Sequence, residues 1–311
     1  MKIIQTIEDI DENQPYLVSG RVINIKDNTY TIGIKYTLAV QISGNLPNIE
    51  VDDYISVILN SIDKIAHINP KTYIISSDFS LVKDIKVTLQ AFRQHCPHIR
   101  DILDTITDPT LLCIMKQFLH KEIKLECPVW NRAHEMRTKY HIVPSARTYH
   151  HAYIGGNLIH SIGVAQTAYT VALSKGIQQL PLEILVAGSL LHDIGKLEAF
   201  TPIKKDDLII VKPTNIRIKE HIDMGLKLMD DIYQFLRNHI PNNDKLRFLI
   251  NTIKGFIATH HGLLSWGAKR EPDSILENIL FISDYLDSRT GNYNPLIPSK
   301  TDTLIKDILH L

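Results

Sequence analysis

The pattern of hydrophobic and polar positions changes character near residue 83. Before that point, apolar, β-branched and aromatic residues recur in short stretches typical of strands, over Tyr16–Lys26, Thr29–Ile42, Tyr54–Ile62 and Thr72–Ser76. Turn residues such as Asp27-Asn28 separate these stretches. Short strands at this spacing predict a small closed β-barrel, because closure leaves no exposed strand edge.

After residue 83 the apolar positions recur every three or four residues, which is the spacing of one face of a helix. Leu89, Phe92 and Cys96 begin this pattern, and Thr107-Asp108-Pro109 has the N-cap and first-turn proline of a helix start. Five further helices are predicted over 153–175, 181–193, 217–238, 242–261 and 272–289, with a small hairpin around Leu208–Val211. Residues 127–150 lack a period and are predicted to be an irregular connector.

The predicted fold class is therefore a multidomain α+β protein. An OB-like β-barrel is expected over residues 1–82, a helical linker and connector over 83–150, and an all-α helical bundle over 151–311.

Charge is balanced over the whole chain of 311 residues, with 34 basic and 34 acidic side chains. Residues 1–83 are acidic, with seven basic and ten acidic side chains. Residues 84–150 are basic, with ten basic and seven acidic side chains. Bulk electrostatic binding of nucleic acid by the barrel is therefore not expected. Within the connector, Arg132, Arg137, Lys139 and Arg147 form either a solvated linker or a positive approach for an anionic substrate.

Cysteine usage and hydropathy indicate a cytoplasmic protein. The three cysteines, Cys96, Cys113 and Cys127, are scattered and form no CxxC pair, so a disulfide framework or a thiolate zinc site is not expected. No signal peptide is recognisable, and no apolar stretch approaches the roughly 18 to 20 residues that span a bilayer. No membrane partner is expected.

Histidine is the residue type that points to chemistry. Five of the fifteen histidines and two aspartates lie on or at the end of separate predicted helices: His160, His192-Asp193, His221, His260-His261 and Asp284. A helical bundle can direct one face of each helix at a common point. Nitrogen and carboxylate donors without thiolate suit Mn, Fe, Co, Zn or Ni. Because these donors exceed the needs of one ion, two ions bridged by Asp193 are predicted.

The dipeptide His192-Asp193 follows an apolar helical stretch directly, in the run Leu190–Lys196. Burying an imidazole and a carboxylate beside leucines is costly unless a partner such as a metal ion compensates. Gly195 permits a sharp turn, after which Lys196 is predicted to direct its ammonium group toward an anion held by the metal.

Three motifs carry a family resemblance: HDIGK at 192–196, HHAYIGGNLIHS at 150–161 and THHGLLSWG at 259–267. They resemble the HD-domain superfamily of metal-dependent phosphohydrolases, in the subset that holds two metals. With the strand-rich N-terminus and the segment ITDPTLLCIMKQFL at 106–119, the chain is similar to the YhaM-type 3′–5′ exoribonucleases, which combine an OB-fold with an HD domain.

The resemblance implies two divalent ions, most often Mn. His160, His192, Asp193 and Asp284 match the ligands of the first ion, and His221, His260 and His261 match those of the second, with Asp193 bridging. Lys196 matches the lysine that binds the scissile phosphate, and Asp287 would orient a ligand from behind. Arg147, His151 and Trp266 are the remaining candidate substrate contacts, although core packing is as plausible for Trp266 and a structural connector for His151.

The function implied is hydrolysis of single-stranded RNA, or of DNA, from the 3′ end to nucleoside 5′-monophosphates by a hydroxide that two metals activate. Two alternatives stay open: hydrolysis of a small nucleotide such as a cyclic dinucleotide, and a metal-stabilised module without turnover. The apolar positions of Leu304–Leu311 resemble a short amphipathic tail suited to packing on another subunit, which would make a homo-oligomer.

Overall fold

The computed structural model describes residues 2–4, 10, 14–35, 38–46, 48–68, 71–83, 87–88, 99–119, 123, 125–147, 150–205 and 208–290, and every structural statement below concerns these residues. The predicted helical pattern through Leu89, Phe92 and Cys96 and the predicted tail Leu304–Leu311 lie outside them.

Ten strands form one sheet. Eight belong to the N-terminal region: β1 Lys2–Ile3, β2 Tyr16–Lys26, β3 Thr29–Lys35, β4 Leu38–Ser43, β5 Tyr54–Leu59, β6 Lys64–Ile68, β7 Lys71–Ser76 and β8 Phe79–Leu81. The other two, β9 Phe200–Lys205 and β10 Leu208–Pro213, form the hairpin predicted around Leu208–Val211. The predicted strand Thr29–Ile42 is two antiparallel strands, and β1, β6 and β8 have no counterpart among the predicted strands.

The sheet is open, so the predicted closed barrel is wrong. Its strand order is β6-β7-β4-β3-β2-β5-β10-β9, with β1 beside β2 and β8 beside β5. The order begins at β6 and ends at β9, and these two strands do not pair with each other, so the described strands do not close into a barrel. One side of β5 is extended by β10, which the chain supplies more than a hundred residues later. Strand pairing of this range is not visible in a local hydrophobic pattern.

Nine helices are described: α1 Ile99–Leu103, α2 Pro109–Met115, α3 Ala133–Ile142, α4 Gly156–Ser174, α5 Gln179–Leu191, α6 Lys196–Ala199, α7 His221–Leu236, α8 Asn243–Thr259 and α9 Ile275–Thr290. The predicted start at Asp108 is confirmed, because its carboxylate accepts hydrogen bonds from the N–H groups of Thr110 and Leu111. None of the described helices has the length and hydrophobicity needed to cross a bilayer.

The predicted irregular connector contains a helix, α3. Ala133, Met136 and Tyr140 recur at helical spacing and are buried, but polar side chains fill most of the other positions. With so few apolar positions, the period is too weak to recognise in the sequence.

The basic side chains of the connector are largely used within the protein. Arg132 pairs with Glu135 and Glu198, Lys139 pairs with Glu135, and Arg137 donates to the carbonyl of Lys116. Only Arg147 of these four is exposed. Little positive charge of the connector is therefore left for the positive approach that was one of its two interpretations.

The hairpin β9–β10 joins the sheet to the helices. Leu208 and Ile210 pack into the sheet core, whereas Val211 packs into the helical core. Strand β5 divides in the same way, since Tyr54 belongs to the helical core and the residues after it alternate into the sheet core. Val211 and Tyr54 are paired across the two strands, so one hydrogen-bonded sheet borders both cores.

Candidate metal centre and substrate cleft

Five helical elements bring the predicted donors to one place. His160 lies within α4, His192 and Asp193 directly follow α5, and His221 begins α7. His260 and His261 directly follow α8, and Asp284 lies within α9. Most of these side chains are fully buried.

The first cluster surrounds one oxygen of Asp193. Its Oδ2 atom lies 3.3 Å from Nε2 of His160 and 3.3 Å from Nε2 of His192. Asp284 Oδ1 lies 3.1 Å from His160 Nε2, and the two imidazole Nε2 atoms are 3.2 Å apart. Four donor atoms thus face a common centre.

The second cluster surrounds the other oxygen of the same carboxylate. Asp193 Oδ1 lies 3.3 Å from Nε2 of His221 and 3.6 Å from Nε2 of His260. These two Nε2 atoms are 3.2 Å apart, and His261 offers a nitrogen within 4.8 Å of the donor atoms of both histidines. The carboxylate of Asp193 is therefore shared between two groups of imidazoles.

Hydrogen bonds on the far side of each ring set which nitrogen faces the clusters. A backbone carbonyl only accepts, so the Nδ1 atom that it contacts must carry the proton, leaving the Nε2 lone pair free. The Nδ1 contacts are 2.7 Å from His192 to Ser189, 2.7 Å from His221 to Ile218, 2.9 Å from His260 to Ile257 and 3.0 Å from His261 to Trp266. His160 instead uses Nδ1 to contact the carboxylate of Asp287 at 2.7 Å.

These donors fit divalent metal ions. In the Nδ1-protonated form, the facing Nε2 atoms of His221 and His260 are both acceptors and cannot satisfy each other. Asp193 Oδ1 is buried and has no hydrogen-bond partner among the described residues. Two ligands about 2.1 Å from one cation lie roughly 3 Å apart, which is the spacing of these atoms. A cation therefore supplies what this arrangement of acceptors lacks.

Burial and neighbouring charges keep most of the donors in the state that binds metal. Burial lowers the pKa of His221 to about 4 and that of His260 well below its ordinary value. Burial alone would raise the pKa of Asp193, but the Lys196 ammonium and the contacts with His192 and His160 together outweigh it and hold that pKa well below the usual range. Burial likewise lowers the pKa of His160, but hydrogen bonds to carboxylates, first that of Asp193, outweigh it and raise that pKa.

Lys196 is held at the base of the site. It is buried, and its ammonium group pairs with Asp193 and lies 3.1 Å from the hydroxyl of Ser145. The preceding Gly195 allows this placement, because a Cβ atom there would lie 1.7 Å from the carbonyl oxygen of His221. Any larger residue at 195 would push α7 and its histidine away from Asp193.

A cleft of about 200 Å³ opens onto the donors. Its polar wall consists of His150, Asp193, Lys196, His260, His261 and Asp284, and its other wall of Trp266, Phe281, Tyr285, Ser288 and Arg289. Trp266, a predicted substrate contact, is 40% exposed at this second wall.

Two predicted substrate contacts, Arg147 and His151, are not among the residues that line the cleft. The ring of His151 is engaged at both nitrogens, with Asp287 at 2.8 Å and the Tyr153 hydroxyl at 2.7 Å. Arg147 is exposed outside the cleft. The neighbouring His150 lines the cleft instead, and burial lowers its pKa to about 2.

The aromatic wall was largely missed by sequence reasoning. Phe281, Tyr285 and Ser288 lie three residues before, one after and four after Asp284, so they share its face of α9. That spacing was a usable signal once Asp284 had been chosen as a donor. Asp287 contacts the Nδ1 atom of His160, as expected of a residue that orients a metal ligand. That it orients this ligand stays a prediction.

One comparison with known protein families agrees with the sequence motifs. Residues 157–289 match the family model of the HD domain. Among solved structures, the HD domain of the L. monocytogenes phosphodiesterase PgpH is similar, at 21% identity over 49% of this chain and 78% of that chain, with a TM-score of 0.29. A search of curated proteins gave no match.

Proposed function

We propose, from the match of residues 157–289 to the family model of the HD domain, that the chain is a metal-dependent phosphohydrolase and, within that class, a 3′–5′ exonuclease. Its substrate is single-stranded RNA, with single-stranded DNA as a second polymer, and its products are nucleoside 5′-monophosphates. The nucleic acid substrate and the 3′–5′ direction of degradation go beyond the general phosphohydrolase chemistry of the superfamily.

The observation that carries the proposal is the sharing of one carboxylate, Asp193, between two groups of imidazole Nε2 atoms. One divalent ion is assigned to His160, His192, Asp193 and Asp284, and the other to Asp193, His221, His260 and His261. Manganese is the first candidate, and Co, Fe, Ni or Zn suit the same donors. When bound, such ions supply hydroxide at neutral pH and neutralise charge on a phosphodiester.

The residues of the chain have separate tasks around that chemistry. Lys196 binds a non-bridging phosphate oxygen, and the Ser145 hydroxyl at 3.1 Å helps to fix the direction of its ammonium group. Asp287 holds His160 through Nδ1 and so fixes the orientation of this ring. The buried leucines around His192 exclude water from behind the donors.

A second candidate function is hydrolysis of a small nucleotide, such as a cyclic dinucleotide. It is favoured by the connector, where Arg132 and Lys139 pair with acidic residues and so offer little charge to a long polyanion. The net charge of −3 over residues 1–83, from seven basic and ten acidic side chains, points the same way.

A panel of substrates with Mn tests the proposal. With a 5′-labelled RNA oligonucleotide, we expect a ladder of single-nucleotide steps and release of nucleoside 5′-monophosphates, with slower shortening of the DNA equivalent. A circular single strand is the control, since it has no 3′ end and should persist. Cleavage of a cyclic dinucleotide without shortening of the linear strands would favour the second candidate. No turnover of either class with Mn, Co or Ni would contradict both.

The compartment is a further part of the proposal. Cys113 is buried and Cys127 partly buried, and both are free thiols, as suits a reducing environment. The cytoplasm is the proposed location.

A further inference from the structure

The second wall of the cleft is an aromatic stack beside the metal donors. The rings of Trp266 and Tyr285 are stacked, with centroids 5.6 Å apart and planes 23° apart. Phe281 packs behind them, 6.3 Å from Trp266, and the guanidinium carbon of Arg289 lies 5.1 Å from the centre of the Tyr285 ring. Core packing does not explain the stack fully, because Trp266 stays 40% exposed.

Both aromatic residues are tied directly to candidate metal donors. The carbonyl of Trp266 accepts a hydrogen bond from Nδ1 of His261 at 3.0 Å, and Tyr285 is the residue after Asp284. The distance from the stack to the donors is therefore fixed by one hydrogen bond, His261 to Trp266, and by one peptide bond, Asp284 to Tyr285. Lys196 lines the same cleft from its polar wall.

We propose that Trp266, supported by Tyr285, is a subsite for the nucleobase of the nucleotide whose phosphate lies at the metal donors. This inference rests on the proposed function, since it assigns one part of the same substrate. Every nucleobase has a flat π face, so such a subsite accepts all four bases and rejects a nucleotide without one. The guanidinium of Arg289, over the ring of Tyr285, helps to hold this supporting ring in place.

Fluorescence measures this subsite without turnover. The chain has two tryptophans, so Trp130→Phe leaves Trp266 as the only indole. We expect adenosine 5′-monophosphate to quench this fluorescence, and ribose 5-phosphate, which lacks the base, to leave it unchanged. Equal responses to the two ligands would overturn the subsite.

Kinetics separates failure of the subsite from failure of the proposed function. Hydrolysis of an oligomer of abasic deoxyribose phosphates, which has no base and no aromatic ring, reports the metal chemistry alone. For an oligonucleotide ending in an abasic nucleotide, we expect kcat/KM about tenfold below that of the normal strand, given the strength of base–aromatic stacking. Trp266→Ala should abolish this discrimination and Trp130→Phe should retain it. Discrimination that persists in Trp266→Ala would overturn the subsite while leaving the function standing.

Two short segments near the site, 144–147 and 150–155, are each held by the N-terminal sheet. The hydroxyl of Tyr54 donates to the carbonyls of Ala146 and Arg147, at 3.2 and 3.3 Å. In the second segment, the N–H of Ile154 donates to the hydroxyl of Ser19 at 3.2 Å. Tyr54 and Ser19 are both buried.

The same two segments also reach the site. The Ser145 hydroxyl contacts Lys196, and His150 lines the cleft. His151 contacts Asp287, which in turn accepts from the Nδ1 atom of His160. The segments 144–147 and 150–155 therefore link two buried hydroxyl groups of the sheet to the residues that surround the metal donors.

We infer that Tyr54 and Ser19 are positioning residues, through which the sheet holds the segments 144–147 and 150–155 in their active geometry. This role also rests on the proposed function for its kinetic test. It assigns the sheet a task within catalysis that needs no contact between the sheet and nucleic acid.

Tyr54→Phe tests this role against a matched control, Tyr30→Phe. Tyr30 is a buried tyrosine of the same sheet, and its hydroxyl donates to the carbonyl of Leu46 at 3.4 Å. We expect Tyr54→Phe to lower kcat about tenfold with KM within twofold, and to speed amide hydrogen exchange across 144–147 and 150–155 in the metal-free protein. Tyr30→Phe should change neither.

Ser19→Ala provides the second variant, since it removes the acceptor of the Ile154 N–H. It should speed exchange in the same segments and lower kcat in the same direction. If Tyr54→Phe and Tyr30→Phe have equal kcat and equal exchange, the positioning role is wrong, whatever the substrate proves to be.

Discussion

Asp193→Asn is expected to lower phosphodiester hydrolysis by about a thousandfold or more, which is the largest effect of any single substitution that we predict. Asparagine keeps the shape of the side chain but removes its charge and replaces one oxygen with a donor. Because the two oxygens of Asp193 face different imidazole clusters, one proposed metal loses its oxygen ligand and the other keeps only a neutral amide oxygen. Elemental analysis of the dialysed protein should therefore show less total metal per chain than in the wild type.

Two comparisons make this prediction specific. The double variant His260→Ala/His261→Ala removes donors from the second cluster only, so it should keep about half of the wild-type metal content. Asp230→Asn changes an exposed carboxylate that pairs with Lys254 and should behave as wild type. Wild-type metal content in Asp193→Asn would refute a bridging carboxylate.

Lys196→Met is expected to lower kcat by about a hundredfold or more while metal content stays at the wild-type level. Methionine fills a similar volume without charge, so the fixed cation beside the phosphate is lost. The Lys196 ammonium is buried between Asp193 and Ser145, and a surface lysine cannot substitute for it. Rates measured in a single turnover, with metal measured on the same sample, separate the chemical step from metal loss.

The matched control for Lys196→Met is Lys212→Met. Lys212 also pairs with carboxylates, those of Glu50 and Asp53, but it lies on β10 outside the cleft. Its replacement should leave the single-turnover rate unchanged. An unchanged rate in Lys196→Met would remove this lysine from the proposed phosphate site.

The convergence of the donors was predictable because each candidate stands on or at the end of its own helix. Helical spacing located those helices to within a few residues, as with 242–261 for the observed Asn243–Thr259. Motifs then selected His160, His192 and Asp193 from the fifteen histidines and many carboxylates. Their proximity in the structure agrees with the predicted metal centre, and their individual roles stay predictions.

Other features depend on information that a local pattern does not contain. Which of His150 and His151 faces the cleft depends on the backbone of the connector, where His151 has a left-handed φ of 49°. A segment without a period gives no basis for choosing between adjacent side chains. Whether the sheet closes depends on which strands pair at its edges. One partner of β5 is β10, which lies far away in the sequence, so a local pattern could not predict that the sheet stays open.

Because of that hairpin, the part of the chain that must fold together is longer than the part that carries the proposed metal ligands. All the proposed metal ligands lie between His160 and Asp284, which suggests that this stretch could be separated from the rest. Cutting the chain before it would leave β10 without β5, exposing a strand edge together with the apolar side chains of Leu208 and Ile210. Such an edge is a template for aggregation. A boundary drawn from the chemistry alone would therefore divide a sheet that the metal-binding half needs in order to stay monodisperse.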